Sequence, residues 1–373
     1  MDSPEISLKT LDSSFRINSR LMMEIPLSEW CFYLTLFSFL LSLRLIYLHL
    51  VHFSRPVIQR KIIAILWMVP IYASTSWLSI RYFSSSMYFD MVRDCYESIV
   101  LYMFFALCYC YIGQIDRYNI DTERINAVLV AKGSLDHLPP FSLFWNKIDL
   151  TDNPSAFLRT CKKNILQFVV IKPLASSLAI YLHNRGMYVS GDFSLNGGYL
   201  YICMCVNFSI SLSLYWLVMF YVATKEALEP YNPVPKFLCI KGVLFFSFWQ
   251  SVVIVILNKL GLISKITNED VDSEQMCSVI QNALICLEMS AAAIAHSYAF
   301  QPTPFELLVR PAVTARRILT NAFDLNDVVR DFNEVSPLII PSTTFKQVAP
   351  VLQARASIPI PSDDALRRLV ENN

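Results

Sequence analysis

The stretch from Gly197 to Ser251 narrows the folds open to this chain more than any other. It reads GGYLYICMCVNFSISLSLYWLVMFYVATKEALEPYNPVPKFLCIKGVLFFSFWQS: two apolar runs around a polar elbow at 225–236 that carries Pro230, Pro233 and Pro235. A helix rises 1.5 Å per residue, so a run of about 20 apolar residues crosses a hydrocarbon core of about 30 Å. Proline cannot continue a helix and drives its predecessor out of the α region, so the elbow reads as a turn. The stretch is predicted to be a helical hairpin in a bilayer.

The rest of the chain supports that reading. It is 54% hydrophobic and 16% charged, with a mean hydropathy of +0.43. Apolar runs predict spans at about 30–53, 62–83, 91–113, 164–184, 198–223, 236–263 and 276–301. The expected fold is all-α: a polytopic, seven-transmembrane-helix bundle over 30–301. A polar segment at 1–29 precedes it, and a tail at 302–373 follows, its Pro337, Pro341, Pro350, Pro359 and Pro361 favouring extended chain. Residues 1–29 lack the basic, apolar, small-residue order of a cleaved signal peptide.

Lysine and arginine mark the cytosolic loops of a membrane protein. With the N-terminus outside or lumenal, the inner segments 54–61, 114–163, 224–235 and 302–373 hold 19 of them, and the outer segments hold 5. The C-terminus is therefore expected in the cytosol. The acidic run Glu269, Asp270, Asp272 and Glu274 falls outside.

Polar residues within the spans are the functional candidates, because a charge away from the interfaces is costly and usually faces a cavity or a partner. Glu288 lies well inside the seventh span, on one stripe with Gln281, Ala292 and Ala295. Asn207 reaches a similar level on the fifth, with Ser211 one turn along. These three, Glu288, Asn207 and Gln281, are expected to line a polar pocket. The Ser290–Ala295 run lets a neighbouring helix come close. Arg93, Asp94 and Glu97 open the third span at its outer edge, where Arg93 and Glu97 read as an i, i+4 ion pair or as the rim of a solute entrance. Lys172 and Lys241 read as inner-end residues that meet anionic headgroups or the solute path. Lys172-Pro173 is expected to kink the fourth helix.

Other chemistry finds no support. The ten cysteines form no C-x-x-C pair, and the five histidines no H-E-x-x-H. There is no G-x-x-x-x-G-K-[ST] loop for ATP. Neither an enzyme nor a cofactor or metal site is expected, and a net charge of +1 does not suggest nucleic acid. Cys108, Cys110 and Cys239 read either as acylation sites or as small buried hydrophobes.

Several pieces carry a resemblance to a known family: VRDCYESIVLY at 92–102, LQFVVIKPL at 166–174, GDF at 191–193, GYLY at 198–201, NFSISLSLYWL at 207–217 and KFLCIKGVLFFSFWQ at 236–250. In that order they resemble the organic solute transporter alpha subunit family, and within it the transmembrane protein 184 group. DHLPP at 136–140 is similar to its fungal and plant members. The resemblance implies seven helices with the N-terminus outside. It also implies passive movement of steroid-like organic anions, with a small single-span partner subunit. Fungal and plant relatives imply instead a vacuolar or lysosomal membrane and autophagy. The cysteine cluster that transporter members carry after the third span is missing, since 114–163 holds only Cys161.

The tail offers an alternative function. Within FDLNDVVRDFNEV at 323–335, Asp331, Phe332 and Val335 fit an acid-flanked aromatic-x-x-aliphatic motif. Ubiquitin-like autophagy modifiers take such motifs by adding a strand to a sheet edge. An organiser of a vacuolar or lysosomal membrane would recruit partners this way.

Overall fold

The computed structural model describes residues 5–113, 120–139, 147–188, 194, 197–262 and 273–302, with side chains described from 27 onward and, in part, along 241–259. The chain divides into two units, Met1–Ala322 and Phe323–Asn373. The second lies outside the described residues, and with it Asp331, Phe332 and Val335; so do 263–272 and the side chain of Lys241.

The described fold is almost wholly helical. The long helices are α1 (Glu5–Val51), α2 (Pro56–Leu66), α3 (Met68–Arg81), α4 (Ser86–Gly113), α6 (Pro154–Asn184), α7 (Gly198–Leu228), α8 (Pro233–Lys259) and α9 (Ser273–Ala299), with a short α5 (Thr122–Lys132) after α4. Among the described residues, six stretches are long and apolar enough to cross a bilayer: Leu27–Val51, Pro56–Arg81, Phe83–Gly113, Pro154–Asn184, Gly198–Tyr231 and Gln275–Ala299. Helix α8 coincides with the remaining expected span.

The second stretch is broken at Trp67. Pro70 has no N–H to give to the Leu66 carbonyl, so α2 ends there and α3 restarts. The elbow between α7 and α8 is tighter than expected: a 3-10 turn Glu229–Tyr231, then Asn232 at φ 47°, then Pro233 in the first turn of α8. Asparagine tolerates that left-handed backbone better than most residues.

Two helices begin before the spans expected on them, because polar residues hide helix starts from a hydropathy reading. Helix α4 begins at Ser86, not Met91, and α6 begins at Pro154, not Asn164, with the Asn153 side chain accepting from Ala156 N–H. Glu97 therefore stands near the middle of the Phe83–Gly113 span, and Lys172 well inside Pro154–Asn184.

The segment after α4 is folded too. Asp121 caps α5 by accepting from Glu123 N–H, and Ile125 and Leu129 are fully buried. Ser134–Leu135 (β1) then pairs antiparallel with Ile148–Asp149 (β2). Helix α5 packs on α4, α6 and α7.

In the bundle α4 is central: it packs on α2, α3 and α6, while α9 packs on α1, α3 and α8. The α2–α3 and α4 spans are the most enclosed and α7 the least. Helix α9 turns Leu287, Ala291, Ile294 and Tyr298 outward and buries Ile285, Cys286, Met289, Ser290, Ala293 and His296. Small residues on that inner face let α1 approach, and Ser38 Oγ lies 3.0 Å from Ser290 Oγ.

Candidate functional site

The charges of α4 reach the neighbouring helices α3, α6 and α9. Arg93 donates to Asp90 at 2.9 Å on its own helix, to Ser76 Oγ at 3.1 Å on α3, and to Asn282 Oδ1 at 3.3 Å on α9. Lys172 reaches across from α6 and lies 3.2 Å from Asp94 and 3.5 Å from Glu97. Ser176, one turn on from Lys172, donates to Asp94 at 3.2 Å. The expected Arg93–Glu97 pair is thus replaced by two others: Arg93 turns toward Asp90, and Glu97 faces α6.

Charge and exposure are unevenly shared. The side chains of Arg93 and Lys172 are 14% and 13% exposed, while Asp90 and Asp94 are 40% and 36% exposed. Three carboxylates face two bases, which leaves one negative charge in excess if all are ionised. Desolvating such groups costs several kcal/mol each unless pairing is good, so a network placed here is expensive to keep.

The other expected residues sit elsewhere. Asn207 is exposed on α7 and donates back to the Cys203 carbonyl at 2.8 Å. Ser211 is exposed on the same side. The polar seam of α7 is the opposite face: Ser209 Oγ donates to Gln167 Oε1 at 2.7 Å, and Ser213 Oγ to the Asn164 carbonyl at 2.8 Å. Asn207 therefore leaves the expected pocket. Glu288 accepts from the Gln250 amide of α8. Gln281 is half-buried, and its neighbour Asn282 is the residue that meets Arg93. Cys108 and Cys110 are buried, and Cys239 half-buried.

Sequence reasoning missed Asp90, Ser76, Ser176 and Asn282. Asp90 fell outside the expected span, and single serines on an apolar helix leave no periodic signal. Asn282 carried a signal: a second amide beside Gln281, one position round the helix.

The family model for the organic solute transporter Ostalpha matches residues 29–305. The chain belongs to the organic solute transporter alpha family. Membership makes this helix bundle that of a transporter-like, multi-pass integral membrane protein, and the match contains both the Arg93–Lys172 network and the Gln250–Glu288 pair. No solved structure matches the chain.

Proposed function

We propose that this protein is a passive carrier of amphipathic organic solutes. It has seven spans, with α8 as the sixth, its N-terminus outside and its C-terminus cytosolic. The solute passes the network of Asp90, Arg93, Asp94, Glu97 and Lys172. One observation carries this reading: a half-enclosed set of five charges from two helices, tied to α3 and α9, on helices long and apolar enough to cross a bilayer, where charge is costly. The Gln250–Glu288 pair is a second polar station in the same domain. The family likeness supports a small single-span partner subunit.

The test is uptake of a radiolabelled steroid conjugate into vesicles containing the full chain, alone and with a single-span partner. Saturable entry that stops at equal inside and outside concentrations is expected. Accumulation against a gradient, or no entry with a partner present, would end the passive-carrier reading. The tail-borne organiser at a vacuolar or lysosomal membrane rests on sequence alone. Its check is capture of a lipidated ubiquitin-like modifier by the parent and by Phe332→Ala with Val335→Ala.

A further inference from the structure

One face of α9 carries a polar group toward each end. Asn282 and His296 are about four helical turns apart, roughly 21 Å by helical rise. Cys286, Met289 and Ala293 continue that face between them, and all five side chains are buried. The two ends differ in access and in pairing. Asn282 accepts from Arg93 at 3.3 Å, in the network whose Asp90 and Asp94 are partly exposed. His296 is 1% exposed, and neither its Nδ1 nor its Nε2 has a hydrogen-bond partner.

A neutral imidazole asks for two partners, because one nitrogen donates and the other accepts. Water meets both, and the hydrocarbon of a bilayer meets neither. A buried polar atom left unbonded is costly, and phenylalanine would fill this volume without that cost. No charged group is paired with the ring among the described residues. What covers it is Phe300, whose ring stands edge-on to the imidazole with centroids 5.5 Å apart. Phe300 is held in turn from α1, where His49 gives its Nε2–H to the Phe300 carbonyl at 2.9 Å. The face is thus reachable at the Asn282 end and closed at the His296 end.

Resting on the carrier reading above, we infer that His296 binds the solute at the end of the path remote from the charge network. Its partner is an uncharged hydroxyl of an amphipathic solute, met when Phe300 leaves the ring. A hydroxyl can accept from the imidazole N–H or donate to the bare nitrogen, so it suits either tautomer. An anionic head would bring a charge to a ring that has no charged partner, whereas the network end has bases to meet it. The two ends of α9 therefore read the two ends of a solute, the charged head at one and the neutral oxygen at the other.

The experiment uses the full chain in nanodiscs of zwitterionic lipid. The probes are a radiolabelled steroid sulfate with a hydroxyl at its far end and the same sulfate with hydrogen in place of that hydroxyl. The parent should bind the hydroxylated probe about fivefold tighter, the scale of one neutral hydrogen bond. His296→Phe should bind both probes alike. His296→Gln keeps a donor and an acceptor and should restore part of the preference. Both probes meet the same folded protein, so a purely structural role for His296 would shift them together and leave the ratio unchanged. A second measurement needs no variant. Diethyl pyrocarbonate transfers its ethoxycarbonyl group to an imidazole nitrogen, and peptide mapping should find His296 modified slowly in the empty parent and spared once the hydroxylated probe is bound.

The same preference in the parent and in His296→Phe overturns the inference, and so does no preference in the parent or no saturable binding of either probe. His296 unmodified throughout, or modified equally with and without the probe, overturns it as well. Flux in proteoliposomes is measured separately. A preference that depends on His296, with no flux of either probe, refutes the carrier and leaves the binding residue standing. Flux of both probes without that preference keeps the carrier and removes His296 from its path.

Discussion

Lys172 holds two carboxylates at once, so its loss should be felt more than the loss of either partner. Lys172→Met strands Asp94 and Glu97 inside the bundle. Breaking one side of a buried pair costs about 3–5 kcal/mol, and the partial exposure of Asp94 favours the lower end. The expected outcome is a clear fall in melting temperature and in monodisperse yield. Adding Glu97→Gln should recover part of both, because one stranded charge is removed. Glu288 gives a milder case. Glu288→Gln keeps a partner for Gln250, while Glu288→Leu leaves that amide with one bond fewer at about 1–3 kcal/mol. Folded yield should therefore drop for Leu and hold for Gln. The residue types of the site were readable in the sequence, since Arg93, Asp94, Glu97 and Lys172 all stood out. Their partnerships were not. Spacing along one helix suggested Arg93 with Glu97, but the true partner of Glu97 lies 75 positions away on α6, and no single-chain periodicity encodes which helix faces which.

Elements differ in how openly they announce themselves. A 20-residue apolar run has one economical fate, which is why the long helices were legible. Helix α5 was not, because TERINAVLVAK is short and charged and buries only Ile125 and Leu129. The early starts of α4 and α6 were hidden for a related reason: Asp90 and Lys162-Lys163 sit inside helices whose apolar stretch begins later. The docking of α5 depends on Gly113. A Cβ there would come within 2.7 Å of Ile120 Cγ2 and of Ile125 Cδ1, and 3.1 Å from the Asp121 carbonyl. The Asp121 N–H also donates to the Gly113 carbonyl at 2.7 Å, so the chain has little room to shift. Gly113→Ala should cost about 1–3 kcal/mol as overpacking, released by undocking α5. Limited proteolysis should then cut near 114–132 faster than in the parent while the spans stay protected.

At the scale of the whole molecule, orientation is the proposal most cheaply checked. A tag placed after residue 373 should be reachable from the cytosol, and one inserted at 268–272 should be reachable only from the other side. The opposite pattern would overturn the count of basic residues in the loops. The bundle also joins its first span to its last. Thr35 reaches Cys286, Ser38 reaches Ser290, and the His49 ring reaches the Phe300 carbonyl, each across 251 or 252 positions of chain. Synthesis runs at about 5–20 residues per second, so α9 emerges roughly 13–50 s after the face of α1 that it covers. For that interval His49 waits for the Phe300 carbonyl, while Thr35 and Ser38 have only the Ala73 and Leu34 carbonyls to bond and not yet Cys286 or Ser290. A cell can thus read the uncovered first span as a mark of an unfinished chain, and chains halted before α9 are the ones that quality control should remove.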